Sequence, residues 1–215
     1  SWSNNGVEVY GYQIAESSGS IALITAKALS VTGVSILNKT YDGTNSAGSV
    51  TLGDLSGFVG NERVTATASA TALIGTDIGD YKTTVRYTLV YGANGGLAGN
   101  YTLANTADVE ASITAKALSV SGLSTANKIY DGTKSAVLVG TAALLALSTA
   151  GAGSSDDGKA YEDDDVGLTG TATATFENEN VGSGKTVSFS KLSLSGEDAN
   201  NYTFSVPNAT ASITA

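Results

Sequence analysis

"VTATASATAL" occupies residues 64–73 and "TVRYTLVY" residues 84–91. Both alternate small or polar residues with apolar ones at a period of two. A strand sends successive side chains to opposite faces, so such a run is a strand with one face turned inward. The pattern returns in "KALSVTG" (27–33), "LTGTATATF" (168–176) and "TVSFSKLSLSG" (186–196). Turns rich in Gly, Asn and Asp separate these runs. No stretch sustains a 3.6-residue period, and "GEDANNY" (196–202) offers one helical turn at most. The fold class expected is all-β. The abundance of Ala and Thr on the alternating faces implies thin cores.

The strands belong to a tandem repeat. "ITAKALSV" stands at 24–31 and again at 113–120, and "NKTYDGT" (38–44) returns as "NKIYDGT" (127–133), both 89 residues on. "GNYT" (99–102) has its counterpart in "NNYT" (200–203), and "ITA" recurs at 213–215. Self-similarity at a fixed interval marks a modular array. One module is expected over 25–114 and a second over 115–215. Residues 10–26 align without gaps on 99–115, which makes 1–24 the last strand or strands of a preceding repeat. The chain opens on Ser1 and reads as a piece of a longer polypeptide. The second module is longer, and its extra length falls in "LSTAGAGSSDDGKAYEDDD" (147–165). About 90 residues with six or seven short strands fit an antiparallel β-sandwich of immunoglobulin-like type; a β-grasp-like sheet is the alternative. The junction strands continue without a Pro-, Gly- or Ser-rich linker, so the modules are expected to stack end to end.

Composition narrows the chemistry. The 215 residues include no Cys, no His and no Met, and the net charge is −9. Without Cys or His, the usual zinc, haem and iron–sulfur ligands are missing, and Ser-His-Asp or Cys-His catalysis is impossible within the chain. The acidic balance opposes nucleic acid and anionic membrane surfaces as partners. The longest apolar run, 136–147, is too short for membrane insertion and is broken by Gly140 and Thr141. A chain free of Cys and Met suits an oxidising exterior.

Taken together, the "NK-x-YDGT" heptad, the "GNY/NNYT" element and the "ITAKALSV" junction resemble the YDG-type repeat of large bacterial surface and biofilm adhesins. The resemblance covers essentially the whole chain. It implies an extracellular, non-enzymatic stalk module at the bacterial cell surface, holding a distal adhesive region for cell adhesion or biofilm formation. It also implies neighbouring repeats of the same polypeptide as partners. The rival expectation is a binding module that recognises glycan or matrix through the acidic loop or a Tyr-rich face.

Three groups of residues merit attention. The first is the heptad: Lys39, Tyr41, Asp42 and Gly43, with Lys128, Tyr130, Asp131 and Gly132. Asp-Gly signals a tight turn, because Gly accepts positive φ and Asp bonds nearby amides. A strand would place each Lys on the same face as its Tyr, the Lys stem covering a buried ring. The expected role is a structural motif. An isopeptide bond from either Lys to an Asn or Asp is a second reading. The next group is the acidic loop: Asp156, Asp157, Glu162, Asp163, Asp164 and Asp165. Calcium takes six to eight oxygens from flexible loops, which makes this a candidate calcium site, although the EF-hand order is absent; no other cofactor is expected. The plainer expectation is a solvated acidic loop. Last come the tyrosines: positions 85, 87, 89 and 91 share one side, and that side is expected to be buried.

Overall fold

The computed structural model of the chain describes residues 3–4, 7–8, 23–151 and 155–215. The described residues are all-β, with two single 3-10 turns among them, Ala98–Asn100 and Ala199–Asn201. The second turn falls within the one stretch whose sequence suggested a helical turn. No helix among the described residues is long and apolar enough to cross a membrane. The N-terminal segment lies largely outside the described residues, apart from a pairing of Ser3–Asn4 with Val7–Glu8.

In the first repeat, Lys27–Thr32 lies between Tyr101–Leu103 and Asp54–Ser56, in a three-stranded sheet. A four-stranded sheet carries Lys39–Thr40, Thr106–Thr114, Gly79–Val90 and Thr65–Ala70 in that order, and Ser35–Ile36 pairs with Val50–Thr51. The second repeat joins the corresponding strands into one seven-stranded sheet. Its strand Ser135–Leu144 pairs with Lys116–Ala126 on one side and with Gly167–Phe176 on the other. In the first repeat the same path is split into Val50–Thr51 and Asp54–Ser56, so the two halves remain separate sheets.

The sheets are mixed rather than antiparallel. Each repeat's opening strand runs parallel to the strand after its 3-10 turn: Lys27 opposes Tyr101, and Lys116 opposes Tyr202. The two-residue strand of each heptad is parallel to the repeat's last strand. Alternation of side chains is the same for either direction, so the pattern that reveals a strand is silent on its partner's direction.

The long central strands supply the cores. Along Gly79–Val90, Thr83 and Val85 are buried and Tyr87 and Leu89 are half-buried. Tyr91 lies one residue beyond the strand and is 71% exposed, which corrects the expectation for position 91. Along Gly182–Ser195, Lys185 and Val187 face inward, and Val187 packs with Ala174, Phe176, Ala211 and Ile213. A fully buried Val, Ile or Phe contributes about 1.5–3 kcal/mol. Gly122 and Gly140 face each other at a bulge in the second repeat, both at φ +86°. A Cβ on Gly140 would lie 2.1 Å from the Gly122 carbonyl oxygen, so the backbones can approach there only without side chains.

The largest core does not belong to one repeat. Ile36, Tyr41, Leu73, Val85, Ala111 and Ile113 form one cluster with Leu118, Ala160, Tyr161 and Tyr202. The first six come from residues before the junction and the last four from after it. Only Ala115 separates the strands Thr106–Thr114 and Lys116–Ala126.

Candidate functional site: the turns and the joint

The two heptads fold alike. Lys39 Nζ donates to Asp42 Oδ1 at 2.6 Å and to the Thr44 carbonyl at 2.7 Å. Asp42 Oδ1 also accepts from the Thr44 amide at 2.9 Å and hydroxyl at 2.8 Å. In the second copy Lys128 Nζ reaches Asp131 Oδ1 and the Thr133 carbonyl, both at 2.7 Å, and Asp131 Oδ1 accepts from the Thr133 amide at 2.9 Å. Gly43 and Gly132 hold φ at +72° and +73°, the left-handed region that only Gly enters freely. The heptad is thus an Asx-type turn clasped by its own Lys. Burial pushes the Asp42 carboxyl up, but Lys39 and the Thr44 amide outweigh it, so its pKa falls below the usual carboxylate value. For Asp131 the Lys128 ammonium leads, followed by the Thr133 amide, and the pKa drops to about 2. Lys and Tyr part company, against the shared face expected of a strand. The two-residue strand ends at Thr40, and the ammonium turns to the Asp while the ring turns away.

Beyond the turn, the two copies differ in their surroundings. Tyr41 is 3% exposed and Tyr130 is 51% exposed. The Tyr41 ring sits 5.8 Å from that of Tyr161 and 5.4 Å edge-on from that of Tyr202. Its hydroxyl donates to Asp164 Oδ2 at 2.8 Å, and the Tyr202 hydroxyl donates to the same oxygen at 2.5 Å. One carboxylate therefore ties a first-repeat tyrosine to a second-repeat tyrosine. Burial raises both hydroxyls well above the ordinary tyrosine range, and the negative Asp164 acceptor raises them further.

The end of the acidic loop is part of this joint. Ala160 and Tyr161 are fully buried, and the Tyr161 amide donates to the Tyr202 hydroxyl at 3.0 Å. The Gly151 amide donates to the Asp42 carbonyl at 2.8 Å, which brings the loop onto the first heptad. Lys116 is wholly buried, with its ammonium 4.0 Å from the centre of the Tyr161 ring and 2.8 Å from Asp157 Oδ1. The contact with Asp157 is an ion pair without the angles of a regular hydrogen bond. A buried ammonium needs both neighbours, since an unpaired one costs several kcal/mol, and a desolvated cation on a ring returns about 2 kcal/mol. Burial raises the Asp157 pKa, but Lys116 and the Lys159 amide more than reverse that, and the net shift is downward. A polar clamp closes the other side. Asn201 Oδ1 accepts from the Ile78 amide, and its Nδ2 donates to Asp77, each at 2.9 Å.

The remaining acids of the loop are dispersed. Asp165 accepts from the Glu197 amide at 3.2 Å and its own amide donates to Asp198 at 2.8 Å. Glu162 meets the Thr149 hydroxyl at 3.5 Å, and Asp163 is exposed. Asp156 makes an interaction of its own. Among the described residues, no group of three or more acidic side chains is arranged to hold a metal ion. Asp156, Glu162, Asp163 and Asp165 are exposed, as a solvated acidic loop expects, while Ala160, Tyr161 and Asp164 are built into the junction.

Sequence reasoning missed Tyr161, Asp164 and Lys116 as joint residues, yet a signal was present. In the first repeat the Tyr101 hydroxyl donates to Glu62 at 2.6 Å and accepts from the Val59 amide at 3.1 Å. In the second repeat Tyr202 makes the same two bonds with Asp164 and Tyr161. The amide and the carboxylate are three residues apart in both cases. "VGNE" (59–62) thus corresponds to "YEDD" (161–164), so those four acid-rich residues are shared architecture and the true insertion lies before them.

The model of the YDG domain family matches residues 25–108 and 114–211. The chain is therefore a tandem pair of YDG domains and belongs to that family. No curated protein and no solved structure matches it.

Proposed function

We propose that the chain is a non-catalytic stalk segment of a secreted or cell-surface bacterial adhesin, which holds a distal adhesive region away from the cell. The observation that carries this reading is the core shared across the junction. Two domains joined by a tether tumble independently. Here three tyrosine rings, a shared carboxylate and the Asn201 clamp fix one repeat on the next. A joint of that kind transmits length, which is what a spacer needs. The acidic insertion also finds a use in this reading. It thickens the joint, where Asp157 pairs with Lys116 and Asp164 accepts from Tyr41.

Small-angle X-ray scattering tests the proposal. A compact 215-residue body has a radius of gyration of roughly 17 Å. The strand Gly79–Val90 has 12 residues, and at about 3.3 Å each it spans about 40 Å. Two modules with centres that far apart give roughly 24 Å. A value near the larger figure, unchanged by calcium or EDTA, is expected; a value near the smaller one ends the stalk reading.

A further inference from the structure

The joint's inserting tyrosine and its clamping asparagine occur twice in this chain, once covered and once open. On the side that receives, Asn201 is 3% exposed with Ile78 and Asp77 of the first repeat on it, whereas its first-repeat counterpart Asn100 is exposed. On the side that inserts, Tyr41 is 3% exposed and its counterpart Tyr130 51%; Val181 stands where Ile78 does, because Gly182 pairs with Ile213 as Gly79 pairs with Ile113, and the two are 54% and 38% exposed. The backbone under both inserting turns is the same: Tyr41 and Tyr130 each donate their amide, at 2.8 Å, to the threonine that ends their repeat. The receiving pair is also preformed, because the Tyr101 hydroxyl already bonds the Glu62 carboxylate. An apolar ring with a hydroxyl at its tip, left half in water beside exposed Ile129, is the profile of an interface residue.

We propose that the Tyr130 turn is a docking surface for the Glu62–Tyr101 face of a second copy of this chain. Tyr130 enters as Tyr41 does and donates its hydroxyl to Glu62, and the Val181 amide donates to Asn100. The contact is head-to-tail, so it propagates into open ends rather than closing into a pair. The proposal rests on reading the repeats as units in series. The receiving face of the first repeat lacks the insertion, so the contact is weaker than the internal joint and is best caught covalently.

The chain has no Cys, which gives a clean background for trapping. In the internal joint the Ile78 amide and Asn201 Oδ1 are 2.9 Å apart, so Val181→Cys with Asn100→Cys places two thiols at the corresponding contact of two copies. Under mild oxidation this variant is expected to form a ladder of dimers and longer species at least about tenfold faster than a control pair, Val181→Cys with Ile74→Cys. Adding Tyr130→Ala or Glu62→Gln returns the rate to the control value. A ladder no faster than the control, or one that Tyr130→Ala leaves unchanged, overturns the proposal. An extended scattering radius without a ladder sinks the docking surface and leaves the stalk reading standing. A compact radius sinks the stalk reading, and the ladder alone then decides the docking.

Discussion

Tyr41→Ala and Tyr130→Ala remove the same residue from the same heptad, and the joint predicts unequal costs. Tyr41 is 3% exposed, packs on two further rings and bonds Asp164. Truncating a buried aromatic costs about 3–5 kcal/mol. Tyr130 is 51% exposed and its truncation costs about 1 kcal/mol or less. The two heptads differ at one position of seven, so effects on the unfolded chain largely cancel in the comparison. At about 2–4 °C per kcal/mol for a chain of this size, Tyr41→Ala should lower Tm by about 6–20 °C and Tyr130→Ala by no more than about 4 °C. Tyr41→Phe isolates the hydrogen bond to a charged acceptor, worth about 1.5–3 kcal/mol. Differential scanning calorimetry of the three variants makes the measurement. Because the largest core contains residues of both repeats, the wild type should melt in one transition and Tyr41→Ala should separate the repeats. Equal shifts for the two alanine variants would refute the claim that the joint is core.

Two further outcomes rest on the same contacts. Gly43→Ala and Gly132→Ala share the strain of a left-handed backbone, about 1–2 kcal/mol. Only Gly43 adds a clash, its Cβ 2.7 Å from Ala150 Cβ, so denaturant midpoints should fall further for Gly43→Ala, and identical midpoints would show the loop is not seated there. Alkali should loosen the joint. The raised Tyr41 and Tyr202 hydroxyls contribute stability that is fully present below the ordinary tyrosine pKa of about 10, and it is lost as pH rises towards their folded values. Tm should therefore drop between about pH 9 and 11.5, and Tyr41→Phe with Tyr202→Phe should flatten that drop; an unchanged slope would assign it to other groups.

The β class and the repeat were legible because both are properties of pattern. Alternation in 64–73 reports a strand, and an interval of 89 reports a module. The turn at Asp42-Gly43 was legible for a local reason, since the chemistry sits within seven residues. Strand direction was not, because Lys27–Thr32 has the same alternation whether Tyr101–Leu103 runs beside it or against it. The joint was hidden more deeply. Tyr41 and Asp164 are 123 residues apart, and Asp164 stands in a run of four acids whose density suggests solvent or a cation. What distinguishes it is the tyrosine hydroxyl that the fold brings onto it, and only the correspondence with Glu62 and Tyr101 points there.

A module built on strands has two ways to meet its neighbour, along a sheet edge or across an end. Edge pairing is unselective, since any backbone can add to it, and long flat edges invite aggregation. In the second repeat the outer strands of the seven-stranded sheet are Lys128–Ile129 and Tyr202–Ser205, two and four residues long. Each is already paired along its inner side, and their short outer sides offer little template. The ends are different. They carry a ring, a hydroxyl and a clamping amide on one side, and a carboxylate, a tyrosine and an asparagine on the other. Such an end favours one rotation of its partner, because a shifted Tyr41 ring would leave the Asp164 carboxylate without its second hydroxyl. Selectivity therefore resides in side chains at the ends, and in the second repeat the short edges keep backbone pairing from competing with it.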